Sequence, residues 1–302
     1  MSRTSLPLTI WLLVAAHGAL LGQAPTYPED SFADLAPTTE RERLPAAPQL
    51  TFRLEGEIPL PGPLPGHSPR LRDGELVSIA VAGGSVVADV ATRAAPVRVE
   101  EPAGRLPPET GSAWVPDSEG RWRYRAGPSG SLEAERRCRR CKAGFKRGFK
   151  LRVPGRTVAP PLVVGRRVYF GTLDNRLYCI KARSGHRVWL ADVGGRVSAP
   201  LASWSGRLEG SAPRELSAIV VVPDSGARLV AIESERGVEV ASLRLGDGEG
   251  QLVGGALATA AGRIVVARQK YAETEASLLV YRLSEPQPRG SPAAPAGVSA
   301  GN

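Results

Sequence analysis

The sequence predicts an all-β fold, a β-propeller of about five blades with six as the alternative, from three observations. Residues 158–197 divide at turn signals into four short runs rich in β-branched and aromatic side chains, as strands are. The 34 glycines and 27 prolines in 302 residues favour short strands joined by many turns. Similar segments recur along the chain, with blades starting near Leu64, Leu106, Val158, Val197 and Val253.

The clearest repeat, residues 158–197, contains four predicted strands. Turns at Gly165, at Asp174-Asn175 and at Ser184-Gly185 separate them. In the second and third strands, apolar side chains occupy both alternating sets of positions, which is typical of a sheet packed between two neighbours. We therefore predict a meander of antiparallel strands. The predicted strands are Pro161–Val164, Arg167–Thr172, Arg176–Ala182 and Arg187–Val193.

The stretch from Tyr169 to Trp189, Y-F-G-T-L-D-N-R-L-Y-C-I-K-A-R-S-G-H-R-V-W, closely resembles the pyrroloquinoline quinone (PQQ)-like propeller repeat. Quinoprotein dehydrogenases and outer-membrane assembly lipoproteins share this repeat. The resemblance implies structural roles for a small set of residues: close packing, a capped hairpin corner, a turn and an aromatic ring docked between blades. These blade residues are Gly171, Asp174, Asn175, Gly185 and Trp189.

A further blade and part of a last one are predicted C-terminal to this repeat. After Val253 only the middle strands of the last blade are recognisable, so its outer strand is missing. Leu50–Pro61 aligns with Val188–Leu201 and places Phe52 near the position of Trp189. We expect this N-terminal strand to close the propeller, because closure removes free sheet edges. The predicted strands are Glu215–Pro223, Ala227–Glu233, Val238–Leu245, Arg263–Gln269 and Ser277–Leu283.

The chain ends predict export. Residues 1–24 have the outline of a secretory signal peptide, with Arg3 before an apolar run that is too short and broken for a typical transmembrane helix. Pro25 disfavours cleavage after Ala24, so an uncleaved anchor stays open as an alternative. We predict no other transmembrane span and a periplasmic or secreted bacterial protein. The predicted domains are a signal peptide (1–24), a Pro/acidic disordered linker (25–48), the β-propeller (49–284) and a disordered Pro/Ala/Gly tail (285–302).

Positive charge is concentrated in one segment of a chain whose net charge is +9. Residues 136–156 contain ten basic side chains and no acidic one. Aligning Phe149 with Trp189 places them on the third and fourth strands of a blade, as an exposed basic ridge. The ridge is either a docking site for an anionic partner or a solvated insertion, and we expect no nucleic-acid partner. Its residues are Arg136, Arg137, Arg139, Arg140, Lys142, Lys146, Arg147 and Lys150.

Cys138 and Cys141 form a C-x-x-C pair inside this ridge. A zinc site needs four ligands, and the sequence offers only one more cysteine, Cys179, and three scattered histidines. A c-type haem would need a histidine where Lys142 stands. We therefore predict no metal site and a structural disulfide, formed by Cys138 with Cys141 or by either of them with Cys179.

Enzymatic residues are not recognisable in the sequence. The resemblance to quinoprotein dehydrogenases would imply a vicinal Cys-Cys ring, a Glu-Asn-Asp calcium site and a catalytic Asp, and none of these is matched. His67 and His186 have no recognisable Ser or Cys partner. We predict no cofactor and a non-enzymatic scaffold that binds a protein partner in the cell envelope. Two alternatives stay open: a PQQ-dependent oxidoreductase or its degenerate relative, and a binder of anionic glycan or lipid through the basic ridge.

Overall fold

The computed structural model describes residues 48–286 apart from 66–67, 83, 100–112, 128, 209–213, 224–226, 247–249 and 271–274. The predicted signal peptide, nearly all of the linker and the tail beyond residue 286 lie outside this part. In the described residues the secondary structure consists of twenty strands and no helix. These are β1 Thr51–Leu60, β2 Arg70–Asp73, β3 Leu76–Val81, β4 Gly84–Asp89, β5 Val97–Val99, β6 Val115–Pro116, β7 Trp122–Gly127, β8 Ser131–Arg137, β9 Phe145–Arg152, β10 Leu162–Val164, β11 Arg167–Gly171, β12 Arg176–Lys181, β13 Arg187–Asp192, β14 Ala202–Leu208, β15 Arg214–Val221, β16 Arg228–Glu233, β17 Glu239–Arg244, β18 Gln251–Ala258, β19 Arg263–Gln269 and β20 Ala276–Ser284.

The strands form five four-stranded antiparallel sheets, which confirms the predicted β-propeller of about five blades. Blade I contains β2–β5, blade II β6–β9, blade III β10–β13 and blade IV β14–β17. Blade V has the order β1-β20-β19-β18, so its four strands come from both ends of the described chain. The first strands β6, β10, β14 and β18 contact one another in turn, which places them on the inner side of the blades.

Blade V confirms the prediction that an N-terminal strand closes the array. β1 pairs antiparallel with β20, with Thr51 opposite Ser284 and Leu60 opposite Ala276. β19 and β20 are the middle strands, as predicted. The sequence did not indicate β18 as the fourth strand, because Gly254 and Gly255 interrupt its β-branched pattern.

The predicted equivalence of Phe52 and Trp189 is wrong. Trp189 packs in the cluster between blades III and IV, on the face directed toward the following blade. Phe52 packs edge-to-face on Tyr281, with ring centroids 6.2 Å apart, in the cluster directed toward the preceding blade. β1 and β13 both contain a bulge, at Glu55 and Val188. Phe52 precedes its bulge whereas Trp189 directly follows its own, and one extra residue exchanges the two faces of a strand.

Hydrophobic clusters join most neighbouring blades. They lie between blades II and III, III and IV, IV and V, and V and I. Of these four clusters, which cover the described residues, none combines side chains of blades I and II. One face of blade II therefore packs in the hydrophobic cluster with blade III, and its opposite face belongs to none of these clusters.

Four of the five outer strands each contain a β-bulge, and a bulge affects whether the strand of another protein can pair with that edge. These four carry an extra residue opposite the third strand of the blade, at Glu55, Gly148, Val188 and Val240. The remaining outer strand, β5, is only three residues long. Bulges and short outer strands hinder pairing with another chain, so these edges are poor templates for strand addition.

Candidate functional site

Blade II carries the basic ridge and has two contrasting faces. On β7 and β8, Tyr124, Ala126, Leu132 and Ala134 are buried, whereas the alternating residues are polar and partly exposed. The period of two on each strand separates these sets onto opposite faces. The apolar set packs in the cluster with blade III, and the polar set forms the second face.

Tyr124 attaches the apolar face to blade III through a buried hydrogen bond. Its hydroxyl donates to the backbone carbonyl of Ala182 at 3.0 Å, and burial raises the pKa of Tyr124 far above its usual range. Tyr169 occupies the equivalent position of blade III and donates to the carbonyl of Ser234 at 3.2 Å. Burial raises the pKa of Tyr169 to about 12. The two tyrosines therefore stay neutral donors and hold successive blades in the same way.

The second face of blade II is a ladder of cross-strand ion pairs. Arg123 donates to Glu135 through Nε at 2.8 Å, and Arg125 donates to Glu133 through Nη2 at 2.7 Å. Lys150 Nζ lies 2.7 Å from the other oxygen of Glu133. The hydrogen bonds from Lys150 and Arg125 hold the pKa of Glu133 below its usual range. These cations are therefore neutralised within the blade.

Aromatic rings complete this second face. The guanidinium carbon of Arg123 lies 4.6 Å from the ring centroid of Trp114 and 3.9 Å from that of Phe145. That of Arg125 lies 4.5 Å from the same Trp114 ring. Cation–π contacts of this length add to the ion pairs and order the arginine side chains. This face is internally satisfied and offers few unpaired charges to a ligand.

The basic ridge lies on the β8–β9 hairpin of the same blade. Its cations occupy the end of β8, the connecting turn and β9, as the alignment of Phe149 with Trp189 predicts. Lys150 is the exception, because it is bound to Glu133 on the second face. Within the described part of the chain, the other ridge cations are exposed and have no carboxylate partner. They are Arg136, Arg137, Arg139, Arg140, Lys142, Lys146 and Arg147.

A disulfide closes the turn of this hairpin. Of the pairings left open by the sequence, the structure contains Cys138–Cys141, with an S–S distance of 2.03 Å and Cα atoms 5.4 Å apart. The amide of Cys138 also donates to the carbonyl of Gly144 at 2.8 Å. Cys179 is a free thiol in blade III, and burial raises its pKa to about 12. A buried neutral thiol of this kind serves as a packing residue.

An arginine-lined cleft opens beside the ridge, between blade II and the β12–β13 hairpin of blade III. Its volume is about 600 Å³. Sequence reasoning found three of its arginines but missed Arg121 and Arg183, because these belong to separate turns that only the blade packing brings together. The basic composition of the K-A-R-S-G turn was the one available signal for Arg183. The lining residues are Glu119, Arg121, Trp122, Arg136, Arg137, Arg139 and Arg183.

The blade residues implied by the resemblance occupy tight positions in blade III. A Cβ at Gly171 would overlap Val197, and one at Gly185 would meet the ring of Phe149 at 2.8 Å. Asn175 has φ 68°, the left-handed conformation of a hairpin corner. Asp174 accepts a hydrogen bond from the Thr172 hydroxyl in the same corner. These contacts have structural roles.

Trp189 also has a structural role, since its indole Nε1 donates to the Ser234 carbonyl at 2.9 Å.

His186 is exposed near a turn, and His67 lies outside the described residues. The described residues contain no group of three or more His, Cys, Asp or Glu able to hold a metal ion. In the same residues, no helix is long and apolar enough to cross a membrane.

Comparisons with known proteins match the C-terminal part of this chain to one family model. Residues 146–287 match the family model described as outer membrane protein assembly factor BamB. This match begins in β9 and includes blades III and IV. A search of curated proteins gives no match.

Two solved structures are similar over most of this chain. BamB from Moraxella catarrhalis is 18% identical with a TM-score of 0.36, over 75% of this chain and 60% of that one. The glutaminyl cyclase of Myxococcus xanthus is 12% identical with a TM-score of 0.38, over 79% of this chain and 98% of that one. The chain therefore spans 60% of the length of the BamB chain that it matches.

Proposed function

We propose that this chain, which resembles PQQ-like β-propeller repeat proteins and matches the BamB family model over residues 146–287, is a non-enzymatic protein-interaction scaffold of the bacterial cell envelope. The observation that carries the proposal is the β8–β9 hairpin, which presents exposed cations without carboxylate partners around the Cys138–Cys141 disulfide. Elsewhere in blade II the charges are paired. An unpaired basic hairpin on a rigid blade suits recognition of an anionic surface on a partner.

The proposed location rests on the sequence and the disulfide together. Disulfides persist in oxidising compartments such as the bacterial periplasm. Residues 1–24 serve, in this proposal, as the export signal, residues 25–48 as a linker to the propeller of residues 49–284, and residues 285–302 as a tail. The protein acts in the periplasm or after secretion.

Docking through side chains fits the blade edges better than strand addition. Each outer strand either carries a bulge or is very short, and both features discourage an added strand. We therefore assign recognition to the side chains of the hairpin.

The test is capture of partners from a bacterial envelope fraction by the full chain. Deleting residues 136–150 would remove most of β9, so charge reversal is the cleaner change. The Lys142→Glu/Lys146→Glu variant should lose a discrete, stoichiometric partner that the wild-type chain captures. Arg207→Glu/Arg244→Glu in blade IV alters net charge equally and should retain that partner. If the wild-type chain captures no discrete partner, the scaffold proposal is wrong.

A binder of anionic glycan or lipid is the second candidate, favoured by the same exposed cations. Binding to phosphatidylglycerol vesicles would weaken steeply with salt and with Arg139→Glu or Lys146→Glu. Capture of such vesicles without any protein partner would favour this candidate. Saturable binding of PQQ with calcium in a spectroscopic titration would instead support the oxidoreductase alternative.

A further inference from the structure

The arginine-lined cleft gathers cations from three separate parts of the chain. Arg121 precedes β7, Arg137 ends β8, Arg139 lies in the β8–β9 turn, and Arg183 lies in the β12–β13 turn of blade III. The blades are held together at this junction by the Tyr124–Ala182 hydrogen bond, next to Arg183 in sequence. The cleft is therefore lined by two blades that pack directly against each other.

Most of these cations have no anionic partner. Arg121 Nε lies 3.1 Å from Glu119, the acidic residue of the cleft lining. Arg136, Arg137, Arg139 and Arg183 have no carboxylate within salt-bridge distance among the described residues. Like charges gathered around one cavity repel one another, and a bound anion relieves this repulsion.

The chemistry of the cleft favours carboxylates spread along a chain. Guanidinium groups bind carboxylates through two parallel hydrogen bonds. The cleft volume of about 600 Å³ has room for an extended segment that carries several carboxylates. The partly exposed ring of Trp122 adds an apolar wall, which suits the carbon atoms of a peptide.

We propose that this cleft binds an acidic segment of a partner protein, with Arg137, Arg139 and Arg183 pairing with its carboxylates. The proposal rests on the proposed scaffold function and names the chemistry of the partner segment. It adds blade III to the recognition surface through Arg183, a residue outside the basic ridge.

The Cys138–Cys141 disulfide is a positioning element of this site. Arg139 stands between the two cysteines, so the closed turn restricts where its guanidinium can lie. Pre-organised side chains bind with a smaller loss of conformational entropy. Opening the disulfide should therefore weaken binding while the surrounding strands stay paired.

The experiment measures binding of a fluorescein-labelled deca-glutamate peptide to the oxidised full chain by fluorescence anisotropy. We expect Kd to rise at least about tenfold for Arg137→Glu/Arg183→Glu, which corresponds to about 1.4 kcal/mol or more. Arg207→Glu/Arg244→Glu alters net charge equally on blade IV and should raise Kd by less than about threefold. Cys138→Ser/Cys141→Ser should raise Kd by about threefold and lower the melting temperature by no more than about 4 °C, because the closed loop is short.

Several outcomes would overturn the inference. Absence of peptide binding, or equal weakening by the cleft and blade IV variants, would show that the cleft is not a site. Displacement of the peptide by inorganic pyrophosphate at lower concentration than by free deca-glutamate would show a phosphate site. If charge reversal prevents folding, as judged by circular dichroism, Arg137→Gln/Arg183→Gln provides the same comparison.

The scaffold proposal can fail or survive independently. If the wild-type chain and Arg137→Glu/Arg183→Glu capture the same envelope partner equally, the scaffold stands and the cleft inference falls. If neither captures a partner but the peptide still binds the cleft, the scaffold falls and the acidic-segment site stands without its envelope role.

Discussion

Glu55 on β1 accepts a hydrogen bond from Arg263 on β19 at 3.0 Å, although 208 positions separate them in the chain. Arg282 on β20 also donates to Glu55, at 2.6 Å, and Arg263 reaches Glu75 of blade I at 3.2 Å. This network links the N-terminal strand to both middle strands of blade V and to blade I. It strengthens the closure of the propeller at the point where the two ends of the described chain meet.

Glu55→Gln should destabilise the protein by about 1–3 kcal/mol, because it removes a charged acceptor and leaves two arginines less well paired. The free energy of unfolding in urea would measure this loss. Glu119→Gln, which disrupts an exposed pair with Arg121, should cost less than about 1 kcal/mol. Equal losses would contradict a special role for Glu55 in closure.

Acid should weaken the same network. Burial by itself raises the pKa of Glu55, but hydrogen bonds from Arg282 and Arg263 outweigh it and leave this pKa below the ordinary value of 4.5. A lowered folded pKa contributes stability that is present above the unfolded value and is lost as pH falls through the folded value. Below pH 4.5, wild-type stability should therefore decline more steeply than that of Glu55→Gln, as followed by urea unfolding at each pH. Parallel profiles would rule out this linkage.

Tyr124→Phe should cost more stability than Tyr169→Phe, although both remove one hydroxyl between blades. The Ser234 carbonyl keeps donors from Arg167 at 2.6 Å and Trp189 at 2.9 Å after the loss of Tyr169. The buried carbonyl of Ala182 loses the side-chain donor described for it. We expect losses of about 1–2 kcal/mol for Tyr124→Phe and about 0.5 kcal/mol for Tyr169→Phe in thermal unfolding. The reverse order would contradict this account.

Gly171→Ala should destabilise blade III by about 1–3 kcal/mol, because the added methyl group would overlap the side chain of Val197. Val197→Ala alone leaves a small cavity and should also destabilise. Val197→Ala removes the overlapping γ-methyl groups but leaves the Val197 Cβ, which the added methyl group also overlaps, so the double variant should recover only part of the loss. A double-mutant cycle by urea unfolding measures this coupling, and strict additivity would show that the contact is unimportant.

Local patterns were sufficient to predict blade III almost strand for strand. Its turn residues and alternating apolar side chains act over a few positions, and the observed β12 Arg176–Lys181 ends one residue before the predicted Arg176–Ala182. β14 was missed because A-S-W-S-G-R-L contains serine and glycine in place of β-branched residues. Its strand conformation depends on pairing with β15.

The candidate site was only partly predictable. The β8–β9 hairpin and its cations follow from a contiguous basic segment, but the removal of Lys150 from the ridge depends on its cross-strand pairing with Glu133. Arg183 enters the cleft because blade III packs beside blade II. Neither contact has a signature within a few residues of sequence.

The sequence by itself determined the repeat type, the blade phase, the closing strand and the basic hairpin, because turn chemistry, strand periodicity and charge are local properties. Only the tertiary structure decided that Phe52 and Trp189 face opposite ways, that Cys138 pairs with Cys141, and that Arg183 joins the cleft. These outcomes depend on one-residue bulges and on contacts between blades. Both are fixed by packing among residues that are distant in the chain.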